Sequence, residues 1–403
     1  MPGLRTLALT VAVRGGARWE DEARSGWSHC LEHLVFKGAG DMGARDIVER
    51  VEAEGGSINA STGYERTSFD IRALDGSLPL AMQVLSDLVF RPTLDPAEIE
   101  REKDVVAQEI AEAFDTPDDH VFEMAQTRAW AGQPLGRPIL GSVESLKPLD
   151  RDSIGHWRAQ LYSPDRMVVV VSGAVDETEL LALAERWFGD QVATHAATPD
   201  APRFVGGDAA LTRRIEQANI VFQLPAPSAR DATYTAARLM TEILGGGMAS
   251  RLFQSAREQR GLAYAIDAYH EPYEDAGILG IYSGASADRA VELAQVCAAE
   301  LRMLATEGPT AVELSRAKAV LNAGLWMSDE SPASRAGRLA AQVLIFGQPI
   351  ASQTMADRTL AQTVEDVRMA AATTLSAGLA ATAVLGPKAA APAGRAFRYA
   401  LFA

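Results

Sequence analysis

Two spacings of apolar residues alternate along the chain. Helical spacing recurs over roughly 25–37, 43–54, 76–90, 95–130, 150–163 and 176–187. Between these stretches stand short, dense apolar runs, TLALTVAV at 6–13, TSFDIRAL at 67–74 and MVVVVSG at 167–173, which predict strands. Residues 193–210, ATHAATPDAPRFVGGDAA, carry neither period and are rich in Ala, Thr, Pro and Gly, as a domain boundary is. Beyond them the same kinds of element return in similar order. RPTLDPAEIEREKDVV at 91–106 aligns with GPTAVELSRAKAVL at 308–321, each after a helical pattern. The expectation is two related α+β halves, 1–195 and 209–403, joined by a linker at 196–208.

Composition narrows the partners. With 403 residues, 47% hydrophobic and 23% charged, the chain can bury about two globular cores. A formal charge of -15 argues against nucleic acid and anionic membranes and leaves basic peptides as better partners. The two cysteines, Cys30 and Cys297, lie in different halves, so no disulfide scaffold is expected and a reducing compartment fits. The apolar N-terminal run breaks at Arg14 with no small-residue cleavage site after it, which favours a strand over a signal peptide. Nothing later approaches the uninterrupted apolar length of a membrane span, so the cytoplasm is the expected location.

The candidate chemistry begins at HCLEHLVFKG, residues 29–38. His29 and His33 are four apart and share a helix face, with Glu32 alongside, which is metal-ligand spacing. Two helix histidines satisfied by water or carboxylates would look the same. A second helix changes the balance. Asp95 is placed to cap it, Pro96 to occupy its first position, and Glu98 follows three residues after the cap. Ile99, Glu102, Val106, Glu109 and Ala113 then fall on one stripe with Ile110 beside it, which puts two carboxylates on an apolar face. Inward carboxylates require a cation or hydrogen-bond donors. A solvated acidic face is the alternative, because Glu98, Glu100 and Glu112 lie on the same helix.

With both helices in view, the chain resembles the M16 inverzincin metallopeptidases, the family of pitrilysin, insulin-degrading enzyme and the mitochondrial processing peptidase, whose signature is H-x-x-E-H. The resemblance implies two homologous α/β-sandwich halves of the LuxS/processing-peptidase type, each a mixed, mostly antiparallel sheet with packed helices. In that family the third zinc ligand is a glutamate roughly 75 residues past the second histidine, with another glutamate seven residues before it, and Glu109 and Glu102 match both. One zinc per chain on His29, His33 and Glu109, with Glu32 as general base and Glu102 orienting a ligand histidine, is what this implies. GGSINASTGYERTSFDI looks like the family's Asn-Ala-x-Thr segment and following strand, so Asn59, Ala60 and Thr62 are expected to hold substrate by strand addition. LGGGMASRLFQSAREQRGLAY resembles the second-domain segment of bacterial members and puts Arg257 and Tyr264 at the positions that bind substrate and the forming oxyanion. Its GGG lacks the Lys-Ser/Thr of a phosphate loop.

Further expectations follow from the same resemblance. Larger relatives close a chamber with four domains, so a two-domain chain carrying every motif implies a homodimer whose sites are completed in trans. Asp119 and Glu123 stand where processing peptidases hold an arginine near the cleavage site, although the pair could equally be solvated surface. The expected activity is a zinc endopeptidase for short or unfolded peptides. The alternatives are a non-catalytic scaffold or peptide-binding subunit, and the zinc-bearing half of a heterodimer. Cys30 replaces a bulky apolar residue of relatives and is expected to be a buried, inert thiol. One edge strand before residue 6 is missing from the pattern, and His120, His156, His195 and His270 fit no ligand spacing.

Overall fold

The computed structural model describes residues 1, 3–194 and 197–403, so His195 lies outside the described residues. In chain order the strands are β1 (Thr6–Val13), the short pair β2 (Gly38–Ala39) and β3 (Met42–Gly43), β4 (Ser57–Thr62), β5 (Thr67–Leu74) and β6 (Met167–Gly173). There follow β7 (Gly207–Thr212), β8 (Gln217–Pro225), β9 (Ala263–Pro272), β10 (Gly277–Ser286) and β11 (Ala381–Gly386). The first main sheet runs β4-β5-β1-β6 and is antiparallel throughout. The second runs β7-β11-β8-β10-β9, antiparallel except where β7 lies parallel to β11. This is the mixed, mostly antiparallel α+β architecture expected. Four strands of one sheet correspond in order to four of the other, and β7 has no counterpart beside β6. The aligned repeat also holds: the helices Pro96–Asp115 and Ala311–Glu330 are both 20 residues long.

Contacts divide the chain into two compact units, neither continuous in sequence. The first comprises Met1–Ala111, Arg137–Asp200 and Trp326–Ile350, and the second Glu112–Gly136, Ala201–Leu325 and Ala351–Ala403. The division into 1–195 and 209–403 therefore describes the sheets but not two of the helices, and β7 begins inside the expected linker. The reason lies in the strands. Every residue of β1 after Thr6 is buried, so the strand needs cover on both faces. Leu7, Leu9, Val11 and Val13 join the core formed by the first unit's own helices. Ala8, Thr10 and Ala12 point the other way, and the Pro332–Phe346 helix, with buried Ala336 and Ala340, lies against β1 and β6. In the second unit Val121 and Ala125 of the Pro117–Ala129 helix pack on Val221, Ala383 and Leu385 of β8 and β11.

The single helix expected over 95–130 is instead two, Pro96–Asp115 and Pro117–Ala129. Thr116 between them is extended, at φ -87° and ψ 107°, because the ring of Pro117 disfavours helical backbone before it. At the start of the first of these helices Asp95 Oδ1 accepts from the Ala97 and Glu98 amides at 2.8 and 3.3 Å. Glu98 turns to Arg101 rather than back to the cap, so the cap is one-sided.

Candidate metal centre

The Trp27–Val35 helix turns its apolar side, including Cys30, Leu31 and Leu34, into the core of the first unit. The same twist sets His29 and His33 one turn apart on another side, ring centroids 4.6 Å apart. Glu109, from the middle of the Pro96–Asp115 helix, meets them. Its Oε2 lies 3.8 Å from Nε2 of His29 and 3.6 Å from Nε2 of His33. Among the described residues no other trio of His, Cys, Asp or Glu brings its ligand atoms within 4.8 Å of one another.

These separations fit a metal. Zinc–ligand bonds of about 2.0–2.2 Å place two donors of a tetrahedral site roughly 3.4 Å apart. At 3.6 and 3.8 Å the three atoms are too far apart for hydrogen bonds, and Oε2 of Glu109 is buried with no hydrogen-bond partner. A carboxylate oxygen left bare against two imidazoles is compensated by a cation. Burial, reinforced by the neighbouring His33, lowers the His29 imidazole to about 4, so His29 is a neutral donor at physiological pH.

Glu32 stands beside the trio without belonging to it. Burial raises its carboxyl above the ordinary range, while the side chain and backbone of Thr62 donate hydrogen bonds that partly offset the rise. Its Oε2 has no partner. Thr62, expected to touch substrate, thus also holds Glu32. Glu102 is 3% exposed. Its Oε2 lies 3.1 Å from Nδ1 of His33 and its Oε1 accepts from Nζ of Lys37 at 2.7 Å. Lys37 escaped the sequence reading, although it follows His33 by four residues and so continues the histidine stripe. Asn59 and Ala60 lie on β4, an edge strand, and with Glu32, His33, Phe36 and Lys37 they line a groove of about 390 Å³.

The remaining expected site residues belong to the second unit. Arg257 sits on a π-helical turn, Phe253–Glu258, with its guanidinium 4.7 Å from the Phe253 ring centre and 6.0 Å from that of Tyr264. The β9–β10 register slips between Gly284 and Ala285, which pair with Ala265 and Ala263 and leave Tyr264 as the extra residue, 75% exposed. Asp119 and Glu123 share the Pro117–Ala129 helix, and burial together with the Asp119 charge raises the Glu123 carboxyl. His120 packs edgewise on Phe114, His156 lies 3.1 Å from the Gln160 amide, and His270 Nε2 is 2.8 Å from the Pro227 carbonyl. None of these three joins the metal trio. Cys30 is fully buried and its thiol is pushed up to about 12, as an inert core thiol is. Among the described residues no helix is long and apolar enough to cross a membrane.

Known proteins resemble this chain over most of its length. Residues 2–143 match the family model described as Insulinase (Peptidase family M16), and residues 148–321 match that of the Peptidase M16 inactive domain. The uncharacterized zinc protease YmxG of Bacillus subtilis is 34% identical over 86% of this chain and 85% of its own length. An uncharacterized zinc protease of Rickettsia bellii is 31% identical over 96% of this chain and 94% of its own. A crystal structure of a Helicobacter pylori protease superposes with a TM-score of 0.87 at 20% identity, over 95% of both chains, and so shares the fold.

Proposed function

Because the chain belongs to the M16 peptidase family, a family of zinc proteases, we propose that it is itself a zinc-dependent endopeptidase acting on short or unfolded peptides. One observation carries the reading: ligand atoms of His29, His33 and Glu109 converge, the Glu109 Oε2 among them buried without a hydrogen-bond partner, while a second half-buried carboxylate, Glu32, keeps an unpartnered oxygen beside them. Bound by those three side chains, zinc supplies Lewis-acid polarisation of the scissile carbonyl and makes water more acidic. Glu32 accepts the attacking water's proton and returns it to the leaving amine, and its burial makes it the stronger base. Thr62 keeps that carboxylate oriented. Glu102, tethered to Lys37, fixes the ring of His33. The open edge of β4 receives the peptide as an added strand.

Arg257 and Tyr264 donate to the substrate carbonyl in this reading, supplied across a homodimer in which each chain carries every motif. Asp119 and Glu123 favour a basic side chain near the cleavage site, since mutual repulsion on a half-buried helix face is relieved by a cation. The test is zinc content and cleavage of a quenched, arginine-containing peptide by wild type and Glu32→Gln. One zinc in both proteins, with turnover at least a hundredfold lower in the variant, is expected. Absence of bound zinc in the wild type would refute the reading and favour a scaffold role. Zinc with no cleavage by either protein would favour the heterodimer.

A further inference from the structure

The zinc-helix candidate begins at a residue with no side chain. Gly26 is the N-cap of Trp27–Val35, with φ +87°, and a Cβ there would meet the Leu140 carbonyl oxygen at 2.4 Å and the Gly141 Cα at 2.8 Å. Tight backbone packing thus excludes the Ser, Thr, Asp or Asn that usually satisfies the first amides of a helix. Glu20 occupies that role from outside the helix. One carboxylate oxygen accepts from the Gly26 amide at 2.8 Å and the other from the Ser28 amide at 2.7 Å. The residue is 3% exposed, and Arg137 donates to its backbone carbonyl. The residue after Ser28 is His29. Glu20 belongs to neither the metal trio nor the acid–base pair, yet a buried carboxylate is an expensive way to end a helix unless its placement matters.

We propose that Glu20 is a positioning residue for the metal centre: its carboxylate forks across the first turn of the Trp27–Val35 helix and fixes the height and rotation at which His29 is presented to His33 and Glu109. This role for Glu20 rests on the metal reading of that trio. An amide cannot replace the carboxylate, because glutamine has one acceptor oxygen and its NH2 would face one of the two backbone N–H groups. Arg137, by holding the Glu20 backbone, supports the same geometry at one remove.

The experiment compares wild type, Glu20→Gln, Arg137→Met and a reference core truncation, Val84→Ala, whose site is fully buried on a different helix of the same unit. Zinc affinity is read by competition with a chromophoric chelator, and amide hydrogen exchange is followed in the metal-free proteins. Glu20→Gln is expected to weaken zinc binding about tenfold and to speed exchange of the amides at residues 26–30 at least tenfold, with a smaller change of the same kind in Arg137→Met. Val84→Ala should lower the melting temperature without either effect. Zinc binding by Glu20→Gln within twofold of wild type, or an equal loss in Val84→Ala, overturns the proposal. If Glu20→Gln does not fold, Arg137→Met decides: weaker zinc binding with faster first-turn exchange supports the proposal, and wild-type behaviour overturns it. Failure of the wild type to bind zinc sinks the metal reading itself, whereas failure of the variants to differ sinks only the role of Glu20.

Discussion

Replacing Glu102 by glutamine isolates the hydrogen bond that orients His33. With Nε2 of His33 turned toward Glu109, the ring proton sits on Nδ1 and is donated to Oε2 of Glu102 at 3.1 Å. The other oxygen accepts from Lys37 at 2.7 Å. Glutamine keeps the shape but offers one acceptor and one donor group, so either His33 or Lys37 must face an NH2. One charge-assisted bond is lost, about 1.5–3 kcal/mol in an enclosed site. Lys37 is a third exposed and can turn to water, so the variant resolves the conflict mostly there and the histidine keeps a weaker, neutral acceptor. The expected loss of zinc affinity is therefore near the lower end of the range for such partners, about tenfold or ~1.4 kcal/mol. Chelator competition at pH 7.5 or thereabouts measures it directly. Affinity within twofold of wild type would show that the His33 ring is held by packing alone and would refute the reasoning.

Two further outcomes follow from burial. In metal-free protein the lowered His29 imidazole stays neutral while the unfolded chain takes up a proton, so its contribution to stability is complete above the unfolded value of 6.5 and is lost as pH falls toward about 4. The fall from 6.5 to about 4 corresponds to roughly 3 kcal/mol, read as the pH-dependent difference between wild type and His29→Asn in urea unfolding; a parallel pair of curves would contradict it. Ala340→Glu, on the helix covering β1, would put an unpaired carboxylate at a position 1% exposed and is expected to destabilise the protein by more than 2 kcal/mol, with faster amide exchange in β1. A loss below 1 kcal/mol would mean that this helix does not complete the first unit's core.

Local chemistry made a large part of this protein legible in the sequence. Helical and strand periods report which face of an element meets an apolar interior, and that is a property of neighbours within a few residues. The face bearing His29 and His33, the stripe bearing Glu102 and Glu109, and the Asp95 cap are all of this kind, and each appears in the structure where spacing puts it. The break at Thr116 was also local, signalled by Pro117, but the acidic helical pattern on both sides obscured it.

What the tertiary structure alone decided are the pairings across long stretches of chain. Glu20 accepts from the first amides of the zinc-helix candidate where Gly26, pressed against Leu140, has no room for a capping side chain, and no period in the sequence encodes either contact. The helices Pro117–Ala129 and Pro332–Phe346 leave the halves in which they are written, because β1, β8 and β11 need apolar cover on both faces. A sequence shows that a surface must be buried. Which distant segment buries it is settled by shape, volume and the geometry of the whole chain.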